Sequence, residues 1–322
     1  MPATRTAPPR VTVLLRAARI LLVLLLFLVG TDLALRLILG LGDPVLVIPD
    51  AACGYILQPG QNVKRFFCRT STNRYGMRSD PVQDTPPAGT LRLLFLGDSI
   101  TYGTSRVDQS ALFTQILQRE LPAIIHRPVE VMNASASAWA IDNELSWLRS
   151  RGTLHAGRVL LVLNSGDLGQ PRAKIGDVGD DTTLHHPTTA LGEIWTRLVA
   201  PRLFPGSLKT DAGDVAQNTP AVISANLADL DQFQSLAAAQ HAEFAIVYVP
   251  FRREIPEPGA HFLGILRTWT VAHHVPLFDL TSAESPYSVD AITLDHGIHF
   301  NVRGNRVVAT GIEKQWAALL GR

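Results

Sequence analysis

The sequence is short of several things at once, and each shortage removes a class of protein. Only 2 of its 322 residues are cysteine, too few to build a disulfide scaffold. Charged residues make up 18%, and 29 basic against 28 acidic side chains leave a net charge of +1. Gripping nucleic acid needs a basic field, and this chain has none. No glycine-rich loop ending in Lys-Ser or Lys-Thr is present to cradle a phosphate. Histidines pair up at His185-His186 and His273-His274, but adjacent histidines rarely converge on one ion without a third ligand, so both pairs read as loop or surface residues. No metal and no organic cofactor is expected. What the chain does have is 46% hydrophobic residues, which excludes disorder.

Mean hydropathy is positive, +0.14, so the apolar residues must be concentrated somewhere. They sit at the N-terminus. From Ala17 to Leu41 the only charges are Arg19, Asp32 and Arg36. About 20 such residues cross a bilayer as a helix. Asp32 and Arg36 are spaced to face each other one helical turn apart. Arg5, Arg10, Arg16 and Arg19 precede the run, which places the N-terminus in the cytoplasm and the rest outside. A cleaved export signal would need a small-x-small site after the run, but Gly30-Thr31-Asp32-Leu33 continues into more apolar sequence. A lipoprotein site at Asp50-Ala51-Ala52-Cys53 is too far from the run. The expectation is a single-pass protein of the inner (cytoplasmic) membrane with its main domain on the periplasmic side. Export favours a disulfide between Cys53 and Cys68 over the alternative, two unpaired buried thiols.

Three segments follow from the pattern. Residues 1–42 are a cytoplasmic start and anchor. Residues 43–89 are a short lead-in rich in turn formers, able to supply a few strands and ending in a Pro/Gly linker. Residues 90–322 alternate buried strands with helices. Strands are predicted at 91–96, 129–132, 159–163, 244–249 and 276–279, and helices at 110–121, 141–151, 221–241, 261–273 and 302–320. Continuous apolar strands alternating with helices call for a parallel sheet covered on both faces. The stretches 166–187 and 201–220 read as surface loops, and Arg252-Arg253 as a solvated strand end.

In such sheets the ligand binds beyond the carboxyl ends of the strands. The first strand is followed by Gly97-Asp98-Ser99-Ile100-Thr101, the second by Asn133-Ala134-Ser135-Ala136-Ser137-Ala138-Trp139, and the third by Asn164-Ser165-Gly166-Asp167. Before the last helix comes Asp295-His296-Gly297-Ile298-His299-Phe300-Asn301, then Gly304. A serine, a histidine and a carboxylate on one sheet edge are the parts of an acyl-transfer site. Trp139 could stack on a sugar ring or pack against the sheet. Asp98 reads as a hydrogen-bonding residue of the turn.

In these four blocks, in this order, the sequence resembles the SGNH (GDSL-type) hydrolases over residues 91–320. Thr72-Asn73-Arg74-Tyr75-Gly76-Met77-Arg78 looks like the lead-in of membrane-anchored bacterial members. The resemblance implies a three-layer α/β/α, flavodoxin-like fold with Ser99 as nucleophile and His299 as general base. It implies an oxyanion hole lined by the backbone N–H groups of Ser99 and Ala138. Three positions depart from the family pattern. Ala138 stands where the second block has glycine. Gly166 stands where the third has its oxyanion-hole asparagine, so Asn164 is the candidate stand-in. His296 stands where the last block has its aspartate, so Asp295 or a backbone carbonyl is the candidate to orient His299.

The implied function is a membrane-anchored serine esterase removing a small acyl group, acetyl above all, from an envelope carbohydrate or lipid. Two alternatives remain. One is an O-acetyltransferase of an exopolysaccharide working with a polysaccharide-modification partner. The other is a binding module that kept the fold and lost the chemistry.

Overall fold

The apolar N-terminal run is helical. In a computed structural model, which describes residues 10–175, 182–204, 218–251, 260–294 and 298–320, helix α1 spans Arg10–Ala34. A π-helical turn, Leu35–Leu39, extends it and closes at Gly40, whose φ is +69°. Val13–Leu39, 27 residues, is long and apolar enough to cross a bilayer, and its most apolar 18-residue stretch is not buried in the protein. Asp32 and Arg36 pair at 2.9 Å, one turn apart as their spacing predicts.

The lead-in forms two hairpins. Strands β1 (Val45–Asp50) and β2 (Gly54–Leu57) are antiparallel, as are β3 (Asn62–Arg65) and β4 (Cys68–Ser71). This segment is part of the domain rather than a tether to it. Val45, Val47, Tyr55 and Leu57 are buried in the same apolar cluster as Leu145 and Trp147 of the main fold.

Strands β5 (Leu91–Gly97), β6 (Val129–Ser135) and β7 (Arg158–Asn164) begin the main sheet. A two-residue strand, β8 (Thr182–Thr183), lies parallel to β1, and β9 (Glu243–Val249) and β10 (Leu277–Asp279) complete the parallel sheet. Its order is β6-β5-β7-β9-β10, all parallel, the flavodoxin-like arrangement. Alternate residues of β5 serve opposite faces. Leu94 and Leu96 pack with one layer, Leu93 and Phe95 with the other.

After the short helix α2 (Ser99–Tyr102), helices α3 (Phe113–Ile125) and α4 (Ile141–Arg151) flank β6 in the chain. Short helices α5 (Ala190–Ile194) and α6 (Ala200–Leu203) are joined by a π-helical turn, Trp195–Val199. Then come α7 (Pro220–Ala239), α8 (Ala260–Ala272), α9 (Thr281–Glu284), α10 (Val289–Ile292) and α11 (Val302–Leu320). Helices α4, α7 and α8 cover one face of the sheet, α3 and α11 the other. The fold is thus three-layer α/β/α, as expected.

The expected disulfide is absent, and each cysteine has its own hydrogen-bond acceptor instead. Both are free. Cys53, in the turn between β1 and β2, donates to Asp50 Oδ1 at 3.1 Å. Burial, with the Asp50 carboxylate against it, pushes its thiol up to about 12. Cys68 opens β4 and donates to the carbonyl of Arg106 at 3.3 Å. The stretch after Gly166 is also no simple surface loop, since Asp167, Leu168 and Gly169 are buried in a 3-10 turn. Arg252-Arg253 lie outside the described residues.

Candidate active site

The parallel sheet reverses its strand order between β5 and β7, and a cleft forms beyond the carboxyl ends of strands at such a point. Gly97 pairs in register with Ser135, so the turns after β5 and β6 leave the sheet side by side. Gly97 has to be glycine, because a Cβ there would collide with the Thr101 side chain. That close approach lets α2 start at once, with Ser99 as its first residue. Asp98 caps the helix, its Oδ1 accepting the Ile100 N–H at 2.8 Å. This is the turn role its position suggested.

His299 arrives from the far end of the chain. Its carbonyl accepts the Leu294 N–H at 2.8 Å, and its neighbour Phe300 bridges to Thr293 and is buried. Asn301 Oδ1 accepts the Gly304 N–H at 3.0 Å, tying the turn to the start of α11. A Cβ at Gly304 would collide with the carbonyl of Ile292, so this packing also demands glycine. The outcome is that His299 Nε2 lies 2.9 Å from Ser99 Oγ, two residues 200 positions apart brought within hydrogen-bond reach. Asp295 and His296 lie outside the described residues.

The chain is similar to solved GDSL-type hydrolases. No protein-family model matches it, and no curated protein does. A member of the lipolytic G-D-S-L family from Veillonella parvula covers 71% of this chain and 100% of its own, at 14% identity and a TM-score of 0.43. The esterase EstA from Pseudoalteromonas covers 72% and 99%, at 13% identity and 0.46. A two-domain esterase active on acetylated mannans covers 73% of this chain and 51% of its own, at 12% identity and 0.47. A likeness this distant carries no argument about chemistry, which rests on the residues themselves.

Ala138, where the GDSL-type pattern has glycine, keeps the left-handed backbone of a glycine, with φ +63°. The loop is held in that shape from three directions. Gln170 Nε2 donates to the Ala138 carbonyl at 3.0 Å, Tyr55 Oη donates to the Ser137 carbonyl at 2.5 Å, and Trp139 Nε1 donates to the Tyr55 carbonyl at 3.0 Å. Trp139 is thereby a core residue, buried against Tyr55 and closed to any sugar.

Gly166 has an ordinary helical conformation, φ −98° and ψ −20°, so nothing in the backbone requires glycine. Asn164 does not replace the missing asparagine. Its side-chain amide has two hydrogens, and they go to Asp98 Oδ2 at 2.9 Å and Asp167 Oδ1 at 2.7 Å. Its Oδ1 accepts the Gly166 N–H at 2.7 Å. Both donors being committed, none is left for an oxyanion.

The same bonds expose a group that sequence alone does not reveal. Asp98, Asp167 and Glu144 are all buried. Burial, with the neighbouring carboxyl of Asp98, pushes Asp167 well above the usual carboxylate range. Burial, then Asp167 and Asp98, does the same to Glu144. For Asp98 burial also wins, though the Ile100 N–H, His299 and Asn164 pull the other way. Like charges this close disfavour one another's ionisation, which adds to the effect of burial.

A second unforeseen residue is Arg78, the last of the lead-in motif. It is fully buried and donates to the carbonyls of Tyr102, Thr104 and Val107 at 2.8, 2.6 and 2.7 Å. It thus fastens the lead-in to the loop that follows Ser99.

Proposed function

We propose that this chain is a serine esterase, held at the outer face of the cytoplasmic membrane by α1, that removes a small acyl group from an envelope carbohydrate or lipid. The observation that carries the reading is the 2.9 Å contact between Ser99 Oγ and His299 Nε2. His299 takes the hydroxyl proton as Ser99 Oγ attacks the ester carbonyl. The C–O bond to the alcohol then breaks, and His299 returns the proton to the departing oxygen. Water, deprotonated by His299, attacks the acyl-serine carbonyl, the C–O bond to Ser99 breaks, the acid leaves, and His299 returns the proton to Ser99 Oγ. The Ser99 and Ala138 N–H groups stabilise the oxyanion in both halves. By its place in the sequence Asp295 is the candidate to orient His299, with a backbone carbonyl as the alternative.

The missing asparagine at Gly166 lowers the expected rate and motivates a second reading, an inert binding module. Ester turnover separates the two. Purified chain is assayed on a small acetyl ester and on an acetylated polysaccharide beside Ser99→Ala. Esterase activity predicts acetate release lost in Ser99→Ala, whereas equal release by both proteins supports the inert module.

A further inference from the structure

Three exposed apolar features meet where α1 ends. The first is the tip of the β3–β4 hairpin. A two-residue loop of this kind needs φ > 0 at both positions, which is why asparagine and glycine dominate it. Here both positions are phenylalanine, Phe66 at φ +47° and Phe67 at φ +67°. Both rings are exposed, 45% and 69%. The second is the helical stretch 190–204. Ala190 and Glu193 face inward, while Trp195, Leu203 and Phe204 are more than half exposed. The third is the end of α1's own π turn, with Leu37 and Ile38 open to solvent.

These features are fixed to one another. The Phe66 N–H donates to the Leu39 carbonyl at 2.9 Å. Arg36 Nη2 donates to the Thr188 carbonyl at 2.8 Å, and Asp32 Oδ1 accepts the Leu191 N–H at 2.9 Å. Arg65, at the base of the hairpin, forms a buried ion pair with Glu193. The rings are therefore held at the level where the apolar span stops. Exposed Lys64 and Arg202 accompany them.

We infer that the Phe66-Phe67 hairpin tip and the face of residues 190–204 carrying Trp195, Leu203 and Phe204 dip into the headgroup layer of the bilayer that α1 crosses, seating the catalytic domain against the membrane. Aromatic side chains concentrate at that depth because a ring is both apolar and tolerant of water. An amphipathic helix with basic residues beside its apolar face lies in the same layer. A strained turn of two exposed phenyl rings serves no purpose in water. The inference rests on the membrane-anchor reading above.

Trp195 supplies its own reporter, since the other four tryptophans, Trp139, Trp147, Trp269 and Trp316, are at most 8% exposed. Full-length protein is reconstituted in phosphatidylcholine–phosphatidylglycerol vesicles and floated. Its emission is then read with lipids carrying a nitroxide near the headgroup or at the chain end. The difference between the native chain and Trp195→Phe isolates Trp195. A Phe67→Trp, Trp195→Phe chain reports the hairpin in the same way. The inference predicts that the shallow quencher lowers both reporters by roughly twofold, and the deep one less. Vesicle-bound protein with neither reporter quenched overturns the seating and leaves the anchor intact. Emission that shifts with protein density instead of with the lipid quencher assigns the face to a second copy, and overturns it too. Protein that does not float overturns the anchor itself, and the seating with it.

Discussion

Gly166 is the residue where the site departs furthest from a complete oxyanion hole, and its surroundings make the departure reversible. A Cβ there would lie 3.3 Å from Asn164 Oδ1 and 3.7 Å from the Phe251 ring, so only a slight shift of Asn164 is needed. One well-placed donor is worth on the order of 10²-fold in rate. Gly166→Asn is therefore expected to raise kcat/KM on a small ester by up to about that factor, with Gly166→Ala giving no gain. Ala138→Gly relieves a left-handed alanine at about 1 kcal/mol but loosens the unfolded chain by a comparable amount. Its Tm and its activity are expected to stay close to those of the native chain, because the N–H is kept. Glu144 behaves differently. Its Oε2 has no hydrogen-bond partner among the described residues. Its folded-state proton affinity is raised, so its contribution to stability is full below the ordinary carboxylate range and fades as pH rises above it. Glu144→Gln should leave Tm nearly unchanged at pH 4 and raise it by a few degrees at pH 8. An equal change at both pH values would contradict a raised affinity. Ser99 and His299 were legible in the sequence because each sits in a short block tied to a strand end or a helix start. Glu144 was not, because one acid in the middle of an amphipathic helix looks like any solvated one until the sheet buries it. Asp295 remains a proposal from its sequence position.

At the scale of elements, apolar period set most of the main domain. Helix α4 and helix α11 run over the predicted residues, and the strands differ from prediction by a few residues at their ends. What periodicity missed are contacts between distant segments. Cysteine spacing suggested a bridge, yet each thiol lies in its own hairpin with its own acceptor. In the helical stretch 190–204 the first residues went unread and 201–203 were expected in a surface loop but are helical, because the π turn breaks the helical repeat; residues 205–217 of that expected loop lie outside the described residues. The hairpin of β3 and β4 yields a direct test of strain. A non-glycine residue in the left-handed region costs about 1–2 kcal/mol, and asparagine bears that conformation better without loosening the unfolded chain as glycine does, so Phe66→Asn should raise Tm in detergent by a few degrees. The Arg65–Glu193 pair beneath it acts oppositely. Burial alone would push the Glu193 carboxyl up, but Arg65 and the Gly42 N–H outweigh it and hold it below its usual range. Removing one partner strands a buried charge, so Glu193→Gln should cost about 3 kcal/mol, read as a lower Tm.

As a whole, the molecule divides as its hydropathy does: one exposed apolar helix, and a sheet domain whose lead-in is built into its core. That lead-in holds the site from behind, Arg78 on the Ser99 side and Tyr55 on the Ala138 side. Its turn-rich composition pointed to a few strands but gave no sign of this buttressing, which depends on contacts across more than twenty residues. The reading of the chain as an esterase stands on Ser99 being a nucleophile activated by His299. The most direct measurement is labelling of the full-length protein with a fluorophosphonate, followed by peptide mass mapping. The account predicts one adduct, on Ser99, absent in Ser99→Ala and formed about 10²–10⁴-fold more slowly in His299→Ala. Folded protein that gains no adduct at Ser99 from pH 6 to 9, or labels equally fast without His299, would contradict it.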